Sequence, residues 1–356
     1  MIENKEKYVL IFTKSNWDEA PRIRHQVTNL LTKVGKKVIF FQKAYNIPKA
    51  NRFEKINENL YTVNYYEPFH HQLKFINILN TFNNYITKKN IQKVLGDINI
   101  DYIVNFNYDY DFLRDIFKSE KIVTVINDDF VAQAKPFRKK YAEKLLVDTC
   151  AKSDKVLAMS TSIYKDLETY NKNIHLFLPW AENKYSKPKE IEKRDIVLFY
   201  GYINDRLDWE FIEGILKKNI KVRFVGPIVK SSIQNVEKLK NYNNFEYTGT
   251  SDINSLYCDD VVLSFIPYVK DQKDVQAITI NNKSFNLLSK GIPLVYPNLP
   301  NLMKCDSYAI SKYLDVESFI NDYEYIKSNF FEIQKDIKVL LEENYIESRY
   351  SLILDV

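Results

Sequence analysis

Cysteine and histidine are scarce in this sequence, and their positions exclude the sites that depend on them. The 356 residues include only three cysteines, Cys150, Cys258 and Cys305, and four histidines. The cysteines are odd in number and far apart, so they form neither the framework of a disulfide-rich domain nor the short spacing of a zinc site. We therefore expect buried, reduced thiols in a cytosolic protein and no metal site.

Long apolar runs are missing as well. No stretch approaches the ~20 consecutive apolar residues that a membrane-spanning helix needs. After Met1 the chain passes through charged residues directly into a strand-like run, without the apolar core of a signal peptide. We find no repeat of fixed period and no low-complexity tract. These absences predict a soluble, cytoplasmic, globular protein.

Length and apolar content instead fit two α/β domains. A chain of 356 residues exceeds one ordinary core, because single domains are typically about 100–200 residues long. Its composition is 45% hydrophobic and 14% aromatic, which is enough to bury two cores.

Charge is distributed unevenly along the chain. The net charge is +5, but residues 1–180 carry eight more basic than acidic residues, whereas residues 181–356 carry three fewer. A basic half favours an anionic partner, either nucleic acid or a phospholipid surface; the alternative is a lysine-rich surface in contact with water alone. Because the chain lacks a recognised nucleic-acid-binding module, we predict no nucleic-acid partner.

Short β-branched or aromatic runs alternate with amphipathic segments, which is typical of parallel sheets covered by helices on both faces. Amphipathic helices are expected at Arg24–Val34 and Arg138–Ala151. The strand candidates are Tyr8–Thr13, Lys37–Gln42, Leu60–Asn64, Tyr102–Phe106, Ile122–Ile126, Val156–Ser160 and His175–Leu178, then Ile196–Tyr200, Val222–Val225, Phe245–Thr248, Val261–Ile266 and Leu294–Tyr296. A charged, proline-containing linker, Pro179–Arg194, separates the two series.

This organisation predicts two doubly wound, Rossmann-like α/β domains that face each other across a cleft. We place the first domain at residues 1–182 and the second at residues 195–330. Residues 331–356 form a C-terminal helix, for which a return to the first domain is one option. In such sheets ligands lie outside the C-terminal ends of the strands, so functional residues are expected there.

The most informative segment is 281–295, with the sequence NNKSFNLLSKGIPLV. It predicts a polar turn, a short helix capped by Asn281 or Asn282, a helix stop at Gly291 and then a buried strand. A helix N-terminus with free N–H groups next to Lys283 is suited to a diphosphate.

This segment resembles the Pro-x-Lys-x-Phe-Glu-Tyr-Leu-Ala-x-Gly-x-Pro-Val-Val motif of GT-B glycosyltransferases that build bacterial surface polysaccharides. Other segments resemble parts of that family in the same order, over roughly residues 8 to 300. They are residues 15–18 with 24–26, 153–160, 200–203, 223–227, 247–249 with 256–257, and 263–268. The resemblance implies a metal-independent transferase that uses a nucleotide sugar and no other cofactor.

The resemblance also implies a donor site in the second domain. Lys283 and Ser284 would contact the diphosphate and Arg206 would add a second positive charge; a solvated lysine and a surface arginine are the alternatives. Retaining family members carry two glutamates where this chain has Ile278 and Asn286. Whether the reaction retains or inverts the anomeric configuration therefore stays open. Asn286 would take the role of the second glutamate and hydrogen-bond the ribose hydroxyls of the donor. The full donor set is Gly201, Tyr202, Asn204, Arg206, Gly226, Asn282, Lys283, Ser284 and Asn286.

An inverting reaction would need a base in the first domain. Asp128 and Asp129 follow a strand candidate, where a carboxylate would either take the proton of an acceptor hydroxyl or cap the next helix. His25 is another candidate base, and a structural histidine at a helix start is the alternative. Asp18, beside Trp17, is the third candidate. The residues expected to bind the acceptor are Trp17, Asp18 and Arg24.

Two further patterns allow more than one interpretation. Asp109-Tyr110-Asp111 copies the Asp-x-Asp pair that binds manganese in the other main glycosyltransferase fold, but it lies in the wrong domain, and we predict no metal there. Residues 69–93 mix aromatic side chains with His70, His71 and lysines. Together with residues 138–140 they form a surface that contacts an anionic membrane leaflet, or they belong to an amphipathic helix that packs on the protein core. For the aromatic side chains the core position is favoured.

These patterns predict transfer of a sugar from a nucleotide-sugar donor to a saccharide or lipid-linked acceptor in bacterial polysaccharide, lipopolysaccharide or capsule synthesis. A sugar-nucleotide 2-epimerase on the same fold and a non-catalytic module that binds saccharide or nucleotide are the alternatives. We expect a cytoplasmic protein whose basic half makes peripheral contact with the inner face of the cell membrane.

Overall fold

The computed structural model describes residues 6–19, 22–48, 53–69, 73, 75–191 and 193–355. The chain divides into two compact units. The first comprises Met1–Phe177 together with Ser351–Val356, and the second comprises Leu178–Tyr350. The second unit thus begins before the linker at which the sequence placed the boundary, and the end of the expected C-terminal helix is assigned to the first unit.

The first unit is built on an eight-stranded sheet with the strand order β3-β4-β2-β1-β5-β6-β7-β8. Its strands are β1 (Tyr8–Phe12), β2 (Lys37–Phe41), β3 (Phe53–Asn57), β4 (Leu60–Val63), β5 (Ile100–Asn105), β6 (Lys121–Ile126), β7 (Lys155–Ala158) and β8 (Ile174–Leu176). The helices are α1 (Ile23–Lys33), α2 (Asn77–Leu95), α3 (Leu113–Ile116), α4 (Phe130–Gln133), α5 (Lys139–Ala151) and α6 (Thr161–Leu167). Only β3 runs antiparallel to its neighbour.

The second unit is built on a six-stranded, all-parallel sheet with the order β11-β10-β9-β12-β13-β14. Its strands are β9 (Ile196–Tyr200), β10 (Lys221–Val225), β11 (Phe245–Tyr247), β12 (Val261–Phe265), β13 (Leu294–Pro297) and β14 (Ile310–Tyr313). The helices are α7 (Trp209–Lys217), α8 (Ile233–Leu239), α9 (Lys273–Gln276), α10 (Asn282–Ser289), α11 (Val316–Ser328) and α12 (Phe330–Glu342). Helix α13 (Tyr350–Leu354) ends the described chain.

The strand predictions are confirmed, each within two residues at either end, and so are two Rossmann-like units with parallel sheets. The central strands are recognisable from sequence because they are buried on both faces and form continuous apolar runs, as in β1 and β12. The sequence analysis missed β3 and β14. All five residues of β3 are exposed, and β14, at a sheet edge, has Ser311 and Lys312 between Ile310 and Tyr313, so neither has such a run.

The strand order places the expected ligand sites. In the first sheet the order reverses between β1 and β5, and in the second between β9 and β12. The C-terminal ends of strands at such a reversal open a crevice in which doubly wound sheets bind ligands. Functional residues should therefore follow β1, β5, β9 and β12.

A buried lysine attaches the end of the chain to the first unit. Lys155, in β7, is 9% exposed, and its Nζ donates to the carbonyl oxygens of Leu352 and Asp355. An ammonium group is favourable at the C-terminal end of a helix, where carbonyl groups lack partners. Lys155 therefore links the last described residues to β7 of this unit.

Candidate functional site

Two glycines bring the turns after β9 and β10 into close contact. A Cβ added to Gly226 would lie 1.8 Å from the carbonyl oxygen of Gly201, and Gly226 has φ +144°. The Gly226 N–H donates to the Gly249 carbonyl oxygen at 2.8 Å, and the Tyr247 hydroxyl donates to the Gly226 carbonyl oxygen at 3.1 Å. Only a residue without a side chain fits here.

Lys283 reaches the same strand ends from the first turn of α10. Its Nζ lies 5.1 Å from the ring centre of Tyr200 and 5.3 Å from that of Tyr202, and a Cβ on Gly201 would lie 3.7 Å from it. Among the described residues no carboxylate forms a salt bridge with this half-buried ammonium group, and burial alone lowers the pKa of Lys283. A half-buried cation without a counter-charge is a candidate anion-binding group.

The residues around Lys283 fix the start of the helix. Asn281 is the N-cap, as one of the two sequence options predicted, and its Oδ1 accepts from both the N–H and the hydroxyl of Ser284 at 2.9 Å. The Ser284 hydroxyl is fully buried and also bonds to the Tyr296 hydroxyl. This network occupies the Ser284 hydroxyl and stabilises the turn that carries Lys283, and the diphosphate contact of Ser284 stays a prediction.

Two positions correspond to the glutamates of retaining family members. Ile278 packs against the apolar core of the second unit, so nothing replaces the first carboxylate there. Asn286 is half-buried, and its Oδ1 is buried without a hydrogen-bond partner. A buried acceptor without a donor is costly, which makes Asn286 a candidate ligand-binding residue. Asn282 is the first residue of α10, but its side chain lies outside the described part of the structure.

The loop after Gly201 contains the remaining donor-site candidates. Asn204 is half-buried and accepts the N–H of Arg206 at its Oδ1, at 3.1 Å, so it shapes the loop. Arg206 is about half exposed and pairs with Asp274 at 2.7 Å. Exposed pairs of this kind are weak, so Arg206 can exchange Asp274 for an anionic ligand. Tyr202 is 62% exposed.

In the first unit the structure places His25 in a buried position where both ring nitrogens have partners. The ring is 3% exposed; its Nδ1 accepts the Arg22 N–H and its Nε2 lies 3.0 Å from the Asn16 carbonyl oxygen, which only a protonated nitrogen can bond. Both nitrogens are therefore occupied, and the ring packs between Trp17 and Phe40. Trp17 in turn belongs to this aromatic cluster. These contacts favour the alternative interpretation of His25 as a structural histidine at the start of α1.

Arg24 and Asp128 are brought together after β1 and β6. Burial lowers the pKa of the Arg24 guanidinium, and the nearby carboxylates of Glu19 and Asp128 partly offset this effect. The Arg24 Nε is buried without a hydrogen-bond partner. Asp129, and not Asp128, caps α4 by accepting the Ala132 N–H at 2.8 Å.

Asp128 and Asp18 are both exposed. Asp128 thus combines exposure with a nearby guanidinium group, which favours it over Asp129 as a base. The aromatic pair Tyr108 and Phe130, stacked at 4.6 Å, follows β5 and β6 and was not recognised in the sequence.

The Asp-x-Asp pattern is occupied by lysines. Lys14 bonds both oxygens of Asp109 at 2.6 and 2.7 Å, and Asp109 is 2% exposed. Asp111 accepts from Lys152 at 2.6 Å. Within the described ranges no three His, Cys, Asp or Glu side chains are grouped as metal ligands.

The cysteine expectation is confirmed for Cys150, which is fully buried, whereas Cys258 and Cys305 are only half-buried. All three are free thiols. Burial raises the pKa of Cys150 to about 12 and that of Cys258 to about 11, so both thiols are protonated and unreactive near neutral pH.

The expectation that the aromatic residues of α2 face the core is wrong. Ile78, Phe82 and Tyr85 are 82%, 53% and 50% exposed. His70, His71 and Lys74 lie outside the described residues. In the part of the chain that the structure describes, no helix is both long and apolar enough to cross a membrane.

The residues that the sequence analysis missed act through the tertiary structure. Tyr200 ends β9 and contributes a ring beside Lys283, while Tyr296 belongs to β13 and fixes Ser284. Both are ordinary aromatic residues of buried strands in the sequence. Only the parallel alignment of strand ends, which places β9 and β13 on either side of β12, could have indicated their positions.

Comparison with known proteins supports the fold. No family model matches the sequence, and no curated protein is significantly similar to it. Among solved structures, sucrose-phosphate synthase from Thermosynechococcus elongatus has a TM-score of 0.69 at 11% identity, covering 98% of this chain and 97% of that one. The catalytic domain of starch synthase IV from Arabidopsis thaliana, bound to ADP and acarbose, has a TM-score of 0.62 at 9% identity, covering 98% of both chains.

A third similar structure is Anabaena HepE in complex with UDP and glucose, with a TM-score of 0.60 at 8% identity, covering 96% of this chain and 95% of that one. The chain is thus similar over almost its whole length to glycosyltransferases of the GT-B type. The GT-B fold expected from the sequence motifs is confirmed.

Proposed function

We propose that this protein is a glycosyltransferase that binds a nucleotide-sugar donor in its second unit. The observation that carries the proposal is the half-buried Lys283 ammonium group, which has two tyrosine rings and no salt-bridged carboxylate around it among the described residues. It lies at a helix N-terminus beside the strand-order reversal, where an anionic ligand is favoured. Two of the similar solved structures, HepE in complex with UDP and glucose and starch synthase IV bound to ADP, support this choice of ligand.

In this proposal Lys283 and the N–H groups of the first turn of α10 bind the donor diphosphate. As the sugar leaves, negative charge builds up on the nucleoside diphosphate, and the ammonium group stabilises it without reorganisation. The buried Oδ1 of Asn286 accepts a hydroxyl group of the donor, the ribose hydroxyls being the first choice. Arg206 adds charge when it leaves Asp274.

On the acceptor side, Asp128 is the proposed base. It is exposed and lies near Arg24, so a hydroxyl group that binds there can donate its proton to the carboxylate. Arg24, with an unpartnered Nε, is proposed to orient an anionic or hydroxyl-rich acceptor. Because protein groups supply both the base and the charge stabilisation, the proposed reaction needs neither a metal nor another cofactor.

The finer role that we propose is synthesis of a bacterial surface polysaccharide, lipopolysaccharide or capsule, with a saccharide or a lipid-linked saccharide as acceptor. The motif resemblance in residues 281–295 is the support for this choice. A cytoplasmic location, where nucleotide sugars are made, is part of the same proposal.

A ligand screen followed by a turnover assay tests the proposal. Purified protein is first heated with each common nucleoside mono- and diphosphate, because a bound ligand raises apparent stability in proportion to its affinity. The nucleotide sugars that share the stabilising nucleotide are then incubated with and without saccharide acceptors. Sugar transfer to an acceptor, lost in Asp128→Asn, is the expected result.

Two other outcomes would contradict the proposal. Conversion of the donor to its 2-epimer without an acceptor would establish the epimerase alternative. Binding of a nucleotide without turnover of any nucleotide sugar would instead identify a binding module.

A further inference from the structure

Helix α2 has its apolar residues on the outside. The side chains that it buries are Asn80, Asn83, Thr87, Ile91 and Leu95. Ile78, Phe82 and Tyr85, spaced four and three residues apart, form a stripe on the exposed side and line a shallow groove. A helix of a water-exposed surface normally has the opposite arrangement.

The side chains of two asparagines, the buried Asn83 and the half-buried Asn90, hold the helix in this rotation. The Asn83 Oδ1 accepts the Phe69 N–H at 2.9 Å, and its Nδ2 donates to Glu67 at 3.0 Å. One turn beyond the middle of the helix, the Asn90 Oδ1 accepts the Tyr66 N–H at 2.8 Å. These bonds tie α2 to the segment that follows β4, so the outward position of the apolar stripe is a built feature.

This rotation is not the one that water alone would favour. It leaves the Asn80 Oδ1 and the Thr87 Oγ1 buried without hydrogen-bond partners, while the largest apolar side chains of the first turns face outward. Both effects cost free energy in water. An apolar medium on the outer side of α2 would remove the second cost.

A second exposed aromatic group extends the stripe. Phe137 is 66% exposed, and its ring lies 5.8 Å from that of Phe75, just before α2. The Arg138 guanidinium lies over both rings, at 4.8 and 5.0 Å. The stripe of α2 and the Pro136–Arg138 turn therefore lie side by side on the first unit; we call them the α2 face.

The two segments that form the α2 face carry basic residues and no acidic residue of their own, although Lys88 of α2 pairs with Asp115 of α3 at 3.0 Å. Residues 68–96 and 130–142 contain eight Lys and Arg and no Asp or Glu. Lys89 and residues Lys135, Lys139 and Lys140 are exposed, and Lys89 lies 4.7 Å from the ring centre of Tyr85. Aromatic and aliphatic groups rimmed by lysines match the boundary between acyl chains and anionic headgroups.

We propose that the α2 face docks on the surface of an anionic phospholipid bilayer. Ile78, Phe82 and Phe137 enter the headgroup–acyl boundary, and the surrounding lysines contact the phosphate groups. A second copy of the chain fits less well, because its own α2 face would bring like charges together. The proposal goes beyond sugar transfer and does not depend on it, since docking needs neither donor nor acceptor.

Co-sedimentation with vesicles tests the apolar part. Wild-type protein should bind vesicles of phosphatidylcholine mixed with phosphatidylglycerol, and Ile78→Ser/Phe82→Ser should reduce this binding at least about tenfold. The matched control is Leu314→Ser/Val339→Ser, which removes two apolar side chains that are 65% and 59% exposed in the second unit. All four positions are at the surface, so both variants should fold, as circular dichroism can verify.

The variant Lys139→Gln/Lys140→Gln tests the contribution of the lysines to vesicle binding. Its control is Lys335→Gln/Lys338→Gln, which removes two exposed lysines of α12. Only the first variant, and added salt, should weaken binding to the mixed vesicles. Equal binding to vesicles of phosphatidylcholine alone, or no loss in Ile78→Ser/Phe82→Ser, would overturn the proposal. Absence of vesicle binding together with a dimer that this variant dissociates, seen by light scattering, would assign the α2 face to a second copy.

Discussion

Lys14 and Lys283 occupy related places in the two units, but their surroundings differ. Lys14 follows the end of β1 and forms a bidentate pair with the buried carboxylate of Asp109. Lys283 lies in the first turn of α10, after β12. Two tyrosine rings lie beside each lysine, but Lys283 forms no salt bridge among the described residues. The ammonium group of Lys14 therefore stabilises the fold through its salt bridge, whereas that of Lys283 can bind an anionic ligand.

The same contrast extends to their neighbours. After β1 and β5 the polar groups largely satisfy one another: His25 bonds through both nitrogens, and Asp109 and Asp111 bond to lysines. The Arg24 Nε and the Asn107 Nδ2 are exceptions there, since both are buried without a hydrogen-bond partner. In the second unit the Asn286 Oδ1 remains unpartnered close to Lys283 along α10. Unpartnered polar groups, more than residue type, distinguish a binding site from a structural network.

The largest effect is expected from Asp128→Asn. Removing the proposed base should lower kcat for sugar transfer by about 10²–10⁴-fold and leave donor affinity unchanged. Asp129→Asn is the matched control, because asparagine is an equally good N-cap and the charge change is the same one residue away. Steady-state kinetics on both variants decides the matter, and equal losses would remove Asp128 from the proposed role.

The next largest effect is expected on folding. Lys14→Met leaves the buried Asp109 without its lysine and should lower the free energy of unfolding by about 3 kcal/mol. Lys14→Met/Asp109→Asn should recover most of that loss, since no unpaired charge remains. Urea denaturation of the wild type, both single variants and the double variant gives the coupling energy. A coupling energy near zero would mean that the pair does not stabilise the first unit.

A smaller effect is expected at the contact between the two turns of the second unit. Gly226→Ala places a Cβ against the Gly201 carbonyl group and should destabilise the fold by about 2 kcal/mol or more while weakening nucleotide binding. Gly249→Ala is the control, because Gly249 has φ +80° but open space around its Cα; its cost should stay near 1 kcal/mol. Thermal unfolding with and without nucleotide measures both, and equal costs would contradict the close contact.

The smallest effect is expected from pH. Because burial lowers the pKa of Lys283, nucleotide affinity should begin to fall at a lower alkaline pH than an ordinary lysine would allow. The free energy of unfolding changes with pH in the opposite direction. Between the lowered pKa and the ordinary value the unfolded state holds more protons, so the contribution of Lys283 to stability rises with pH in that window. Calorimetry and urea denaturation across alkaline pH, with Lys283→Met as reference, should show both trends.

How far the sequence predicted the structure depended on how local each feature is. The strands, and a helix cap at Asn281 or Asn282, were predictable because apolar runs and capping residues act within a few positions. The burial of Ser284 was not, since its partner Tyr296 belongs to another strand. The prediction of which side of α2 faces the core failed for a related reason. The hydrogen bonds of Asn83 and Asn90 to residues that precede the helix set its rotation, and the apolar pattern of the helix does not.

The most direct test of the central claim is titration calorimetry of Lys283→Met with the nucleoside diphosphate that stabilises the wild type most. Loss of one charge-assisted contact should weaken binding by about 1.5–3 kcal/mol, or roughly ten- to a hundredfold. Lys338→Met, at an exposed lysine of the same unit, should bind as the wild type does. An unchanged affinity in Lys283→Met would contradict the assignment of the donor site to the start of α10.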